Sequence, residues 1–160
     1  MVRFETSHGV FTVELFEQEA PLTVANFLQY VDDGFFDGTI VHRIVPGFVI
    51  QGGGLTADFV QKKTRAPVKN EATNGERNER GTLSMARNGP DTATSDFSIC
   101  IGDQPSLNFG GKRNPDGQGF AAFGRVTRGM DVVRKIQAAP ADGQRLTPPI
   151  TIVRIRRVRN

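Results

Sequence analysis

Val2 and Phe4, then Phe11, Val13 and Leu15, alternate with polar residues on either side of Ser7-His8-Gly9. That period of two predicts a pair of half-buried strands joined by a turn. The period then changes. Val24, Phe27, Leu28 and Val31 recur at i, i+3, i+4 and i+7 behind Pro21, a residue that the first turn of a helix tolerates, and Gly34 stands where the helix should close. Between Val41 and Gln51 two apolar runs flank Pro46-Gly47 and predict a hairpin. With Pro46, Gly47 and Phe48 as a three-residue loop, Val45 faces Val49 and Arg43 faces Gln51. Directly opposed residues of an antiparallel pair share a face, with Cβ atoms about 4.5–5.5 Å apart.

Residues 55–80 follow neither period. Lys62-Lys63, Asn70, Asn74-Gly75 and the run from Glu76 to Arg80 predict a long excursion, functional or ordered by side-chain bonds. Strand patterns return at residues 81–86, 95–101, 120–126 and 150–158. They are separated by an Asn88-Gly89-Pro90-Asp91 turn and a Gly/Asn/Pro-rich loop through 108–119. Met130, Val132, Val133 and Ile136 predict a short second helix. Seven or eight short strands with two helices favour a mainly β fold, an antiparallel barrel whose open ends are capped by the helices. With no repeat and no linker, a single domain over residues 1–160 is expected.

Composition narrows the picture. A chain of 160 residues buries roughly 68–70% of its unfolded surface, enough for a core without staples. Cys100 is the single cysteine, which excludes an intramolecular disulfide and fits a reducing compartment; its place in Phe97–Ile101 predicts a buried, inert thiol. The N-terminus has no apolar signal region and no window approaches a membrane span, so a cytoplasmic protein is expected, or a periplasmic one if a signal peptide has been removed. The net charge of +3 is modest. Arg154, Arg156, Arg157 and Arg159 read as a solvated strand end, because no aromatic stacking platform is interleaved and no nucleic-acid partner is implied.

Several chemistries drop out. The two histidines, His8 and His42, come with no Gly-x-Ser-x-Gly elbow, and His42 points away from the Arg43 face, as an inter-strand or core histidine would. One cysteine and two distant histidines give no metal-ligand spacing. Gly52-Gly53-Gly54 lacks the Lys-Ser/Thr of a phosphate loop and reads as a bend or bulge, and Gly117-x-Gly119 is no dinucleotide fingerprint. No cofactor is implied. What stands out is Arg43, Phe48, Val49 and Gln51 on one hairpin: a guanidinium beside an amide and an aromatic ring.

From His42 through Gly53 the chain resembles the signature hairpin of the cyclophilin family of peptidyl-prolyl cis/trans isomerases, most closely the short bacterial type, with Val41 replacing the first Phe. Ala20-Pro21 with Asn26-Phe27, Lys69-Asn70-Glu71, residues 81–86, Phe123-Gly124-Arg125-Val126 and residues 129–133 match in consistent order. The resemblance implies an eight-stranded antiparallel closed barrel with two capping α-helices. It implies action on proline-containing peptides and on unfolded or folding proteins, and a monomer is the default expectation. Carried over by position, Arg43 is the catalytic arginine, Phe48 floors the proline pocket, and Gln51 orients the arginine and contacts the peptide. Val49 stands for the usual methionine, Leu107 matches the pocket leucine, and Ala86 and Arg87 fall where the peptide backbone pairs.

The departures are specific. Asp96-Phe97-Ser98 stands where the family typically has Gln-Phe-Phe, so Ser98 removes an aromatic that packs on the proline ring. Asp96 brings a charge near the groove, favouring basic substrates or pairing with Arg87. Phe120 stands where many members have His, and Ser106 where eukaryotic members often have Trp. Two readings follow from the resemblance: an active isomerase, or a proline-peptide binding module weakened at Ser98 and Asp96.

Overall fold

The computed structural model describes residues 1–74, 76–89 and 91–158. The predicted turn at Ser7-His8-Gly9 joins β1 (Val2–Thr6) to β2 (Gly9–Leu15), with Phe4 opposite Phe11. Next come α1 (Pro21–Asp32), β3 (Ile40–Val45), β4 (Val49–Gly52), β5 (Thr82–Met85), β6 (Phe97–Cys100) and β7 (Ala122–Arg128). α2 (Met130–Gln137), β8 (Ala141–Asp142) and β9 (Arg145–Arg157) complete the order. The strands hydrogen-bond in the sequence β1-β2-β7-β5-β6-β4-β3-β9, and β9 pairs back onto β1, so eight antiparallel strands close a barrel. Closure leaves none of these eight with a free edge.

Two features differ from the sequence expectation. β9 begins at Arg145, five residues before the apolar alternation at Ile150, because its first part pairs with β3 and with the two-residue β8 in spite of Pro148-Pro149. Prolines in a strand demote the pattern, which hid both the early start and β8. The consequence is functional: the β8–β9 turn lies beside Arg43.

The interior is aromatic. Phe4 stacks on Phe11 with ring centroids 4.7 Å apart, Phe27 lies 5.2 Å from Phe123, and Phe36 meets Phe97 edge-on at 5.8 Å. α1 buries Val24, Phe27, Tyr30 and Val31 in this cluster, while α2 buries Val133 and Ile136. Burying one such side chain contributes roughly 1.5–3 kcal/mol, which is why two short amphipathic helices hold. Gly53 sits at φ 106, and a Cβ there would meet the Phe97 ring at 2.7 Å. Here the glycine run serves packing.

The excursion at 55–80 is tied down by its own polar side chains. Ala20, at the α1 N-cap, supplies no side-chain cap. Glu71 supplies one from 48 residues away, accepting from the Thr23 N–H and hydroxyl, both at 2.6 Å. A carboxylate at a helix N-terminus meets orphaned N–H groups and the positive end of the dipole together. Asn70 Nδ2 donates to the Gly119 carbonyl at 2.9 Å, Asn74 Nδ2 to Ala122 at 3.1 Å and Asn78 Nδ2 to Phe120 at 3.2 Å. Three asparagines thus fix the segment that carries Phe120. Among the described residues no helix is long and apolar enough to cross a membrane.

Candidate active site

The β3–β4 hairpin closes as its sequence requires. The Phe48 N–H donates to the Val45 carbonyl at 2.9 Å, Val45 opposes Val49 and Arg43 opposes Gln51. A register shift at His42, between Val41 and Arg43, adds one residue to β3. Arg43 Nη1 donates to Gln51 Oε1 at 2.8 Å, and Nε donates to Gln144 Oε1, from the β8–β9 turn, at 2.9 Å. A guanidinium has five N–H donors, so three are left for a ligand. Burial and, second, the charge of Arg113 push the Arg43 pKa below its usual value, yet an arginine stays charged in proteins. The side chain is thus oriented by two amides while three of its five donors have no partner among the described residues.

In front of it lies a cavity of about 250 Å³. Phe48, Val49, Leu107 and Phe120 give it apolar walls, and Ser84 and Ser98 give it a polar side. Ser98 lies between Gln51 of β4 and Ser84 of β5 in register, which explains the lining. Ala86, Arg87, Arg113 and Asn114 complete the rim. Arg43, Phe48, Val49, Gln51, Ala86, Arg87, Ser98, Leu107 and Phe120 are therefore brought together around one space. Even without an aromatic at Ser98, two rings, Phe48 and Phe120, face the cavity.

Asp96 is not brought there. It precedes β6, where the alternation of buried Phe97 and groove-facing Ser98 begins, and its Oδ1 is buried without a hydrogen-bond partner among the described residues. A side chain built on Gly54 would meet that oxygen at 2.5 Å. Burial pushes the Asp96 carboxyl up to about 6. The expected pairing with Arg87 is corrected as well. Arg87 donates through Nη1 and Nη2 to Asp116 at 2.8 and 3.0 Å, and through Nε to the Gly119 carbonyl at 2.9 Å. It also lies 4.7 Å from the Phe120 ring centroid and is 1% exposed. The Arg87 guanidinium holds the Asp116 carboxyl below the usual range. A bidentate fork matched to a carboxylate in the 108–119 loop outcompetes an Asp whose side chain turns under Gly54.

Four lining or supporting residues had no usable sequence signal or an overlooked one. Ser84 could have been read from Ala86, two residues on along the same strand face. Arg113 and Asn114 sit in an aperiodic loop, and Gln144 is 101 residues from the arginine it orients. Cys100 is fully buried, its thiol pushed up to about 12 by burial and then by Asp103. His42 is half-buried, its pKa lowered by burial and by Arg43. On the basic strand end, Arg154 pairs with Glu5, and Arg157 with Asp32 at 2.7 Å; Arg159 lies outside the described residues.

Residues 1–157 match the family model for cyclophilin type peptidyl-prolyl cis-trans isomerase/CLD. The chain is 50% identical over 145 residues to peptidyl-prolyl cis-trans isomerase cyp18 of Streptomyces antibioticus, covering 90% of this chain and 87% of the relative. It is 49% identical over 138 residues to peptidyl-prolyl cis-trans isomerase B of Escherichia coli, covering 86% and 84%. A solved cyclophilin type peptidyl-prolyl cis-trans isomerase of Cryptosporidium parvum, crystallised in the presence of the dipeptide Ala-Pro, superposes with a TM-score of 0.86 at 28% identity, covering 99% of each chain.

Proposed function

The chain belongs to the cyclophilin type peptidyl-prolyl cis-trans isomerases, and from that membership we propose that Arg43, Gln51 and Phe48 carry its catalysis of X-Pro rotation. Amide resonance sets a barrier of about 18–20 kcal/mol to rotation. No bond to a nucleophile is needed to lower it, only preferential stabilisation of the twisted amide. In that state the prolyl nitrogen is pyramidal and regains its lone pair. An idle guanidinium donor of Arg43 bonds to it there and barely in the planar ground state. The cavity walled by Phe48, Val49, Leu107 and Phe120 holds the ring while the acyl side turns, and the backbone at Ala86, just past the end of β5, takes the peptide backbone.

The observation that supports this most is the pairing of three idle Arg43 donors with an apolar cavity at the same spot. Its substrates are proline-containing peptides and unfolded or folding proteins, and Ala-Pro is the dipeptide named with the Cryptosporidium relative. Since one chain supplies every wall of the cavity, activity as a monomer is the consistent reading. The test is NMR exchange spectroscopy on a short Ala-Pro peptide with catalytic amounts of protein. Faster cis/trans exchange that is lost in Arg43→Ala upholds the assignment, and exchange untouched by that substitution removes Arg43 from the chemistry.

A further inference from the structure

Arg43 has cavities on both sides. Beyond it, away from the proline pocket, lies a second one of about 300 Å³, lined by His42, Arg43, Phe59, Gln144 and Arg145. The Arg43 side chain separates it from the first and lines both. Its walls are mainly apolar, with the half-buried Phe59 ring as the largest surface. The Arg145 guanidinium lies 3.9 Å from that ring centroid. His42 adds a buried Nδ1 that has no hydrogen-bond partner among the described residues.

The charges around Arg43 are one-sided. Arg113 lies 4.8 Å from the Phe48 ring centroid, on the proline side, as Arg145 lies over Phe59 on the other. Among the described residues neither guanidinium forms an ion pair. Asp58 and Asp142, the nearest carboxylates to Phe59 and Arg145 along the chain, pair with neither. Asp96, the acidic residue the sequence had aimed at this groove, is turned away from it. Three guanidiniums line the two cavities, and two of them, Arg113 and Arg145, lie over aromatic rings with no carboxylate partner among the described residues, which makes the neighbourhood electropositive. A guanidinium fork is matched to a carboxylate.

We propose that the cavity beside Arg145 is a second substrate subsite that takes a glutamate within two residues of the proline. The methylenes of the glutamate pack on Phe59 and its carboxylate meets the Arg145 edge. This rests on the isomerase reading above, since the subsite matters only to a peptide whose proline occupies the first cavity. It assigns Arg145 as a specificity-determining residue, with Arg113 reinforcing the field.

The test is kcat/KM for one X-Pro peptide carrying Glu, Gln or Lys at each of the two positions before and after proline, with an all-alanine flank as reference. A partly exposed charge pair is worth a preference of roughly two- to fivefold. At one position Glu should exceed Gln by that factor and Lys should fall below Gln. Arg145→Gln should bring the Glu/Gln ratio to about one, and Arg145→Glu should invert it towards Lys. Arg125→Gln, which removes an equal charge from the distant pair with Glu14, should preserve it. Equal rates for the three side chains at all positions, or a preference that survives Arg145→Glu, would overturn the subsite while leaving the isomerase intact. Absence of acceleration for the alanine reference too would overturn the isomerase reading itself.

Discussion

Two arginines face the same groove from opposite sides, and they are used in opposite ways. Arg43, on the β3–β4 hairpin, is oriented by Gln51 and Gln144 with three donors idle. Arg87, just beyond β5, is 1% exposed and committed to Asp116, to the Gly119 carbonyl and to the Phe120 ring. One keeps donors free at the cavity, the other is committed to architecture. A polar group that reaches a cavity with unsatisfied donors can stabilise a passing charge or lone pair, whereas a saturated one can only rigidify what surrounds it.

The comparison is broken most directly at Arg43. Arg43→Ala should lower kcat/KM by about 10²–10³, the cost of losing a preorganised donor, while the urea midpoint stays near the parent value. Arg87→Ala should do the reverse. It removes the fork that ties Asp116 and the Gly119 carbonyl together, so the urea midpoint should fall measurably. Arg87→Lys should recover little, because an ammonium cannot replace the bidentate fork. Urea titrations of both variants read this out. An Arg87→Ala protein of unchanged stability would show that the brace is unnecessary.

Asp96 sharpens the same contrast through pH. Paired with Arg87 it would have a depressed pKa, and stability would rise with pH. Buried and unpartnered, its carboxyl is instead pushed up from 3.8 to about 6. Between those values the native state binds more protons than the unfolded one, so this group's contribution falls as pH rises and is lost above about 6. The effect is at most about 3 kcal/mol, nearer 2 once solvent screening is counted. Asp96→Asn should flatten that slope in unfolding free energies measured from pH 4 to 7. A steeper decline in the variant would contradict the burial account.

Two smaller effects test how the groove is tuned. Gln144→Ala should free Arg43 Nε and reduce kcat about fivefold, the worth of one hydrogen bond, with KM nearly constant. Restoration by Gln144→Asn would argue against a distance-sensitive role for the Gln144 amide. Ser98→Phe should place a third ring on the cavity and raise kcat/KM by roughly two- to threefold through tighter ring binding, about the value of a partly buried apolar contact. A decrease would mean that the Gln51–Ser98–Ser84 row has been repacked around the smaller side chain.

The hairpin site was legible because its parts are close in sequence and strand alternation is strict. Fixing the loop at Pro46-Gly47-Phe48 fixes Arg43 against Gln51, and the observed register is the expected one. α1 was legible for the same reason, its apolar spacing and Pro21 being local. The opposite wall was not. Nothing local predicts that Glu71 caps α1, that Asn70, Asn74 and Asn78 hold the segment behind Phe120, or that Arg87 chooses Asp116 over Asp96.

By itself, then, the chain determined which residues could do chemistry and which faces its short elements would bury, since periodicity and turn residues act over a few positions. Only the closed barrel decided which polar groups would be idle, saturated or stranded. Gln144 reaches Arg43 and Arg145 comes to rest on Phe59 because β9 must pair with both β1 and β3 to close the ring, and Asp96 is shut under Gly54 because β6 pairs with β4. Hydrogen-bond satisfaction depends on neighbours brought from far along the chain, and closure is what selects them.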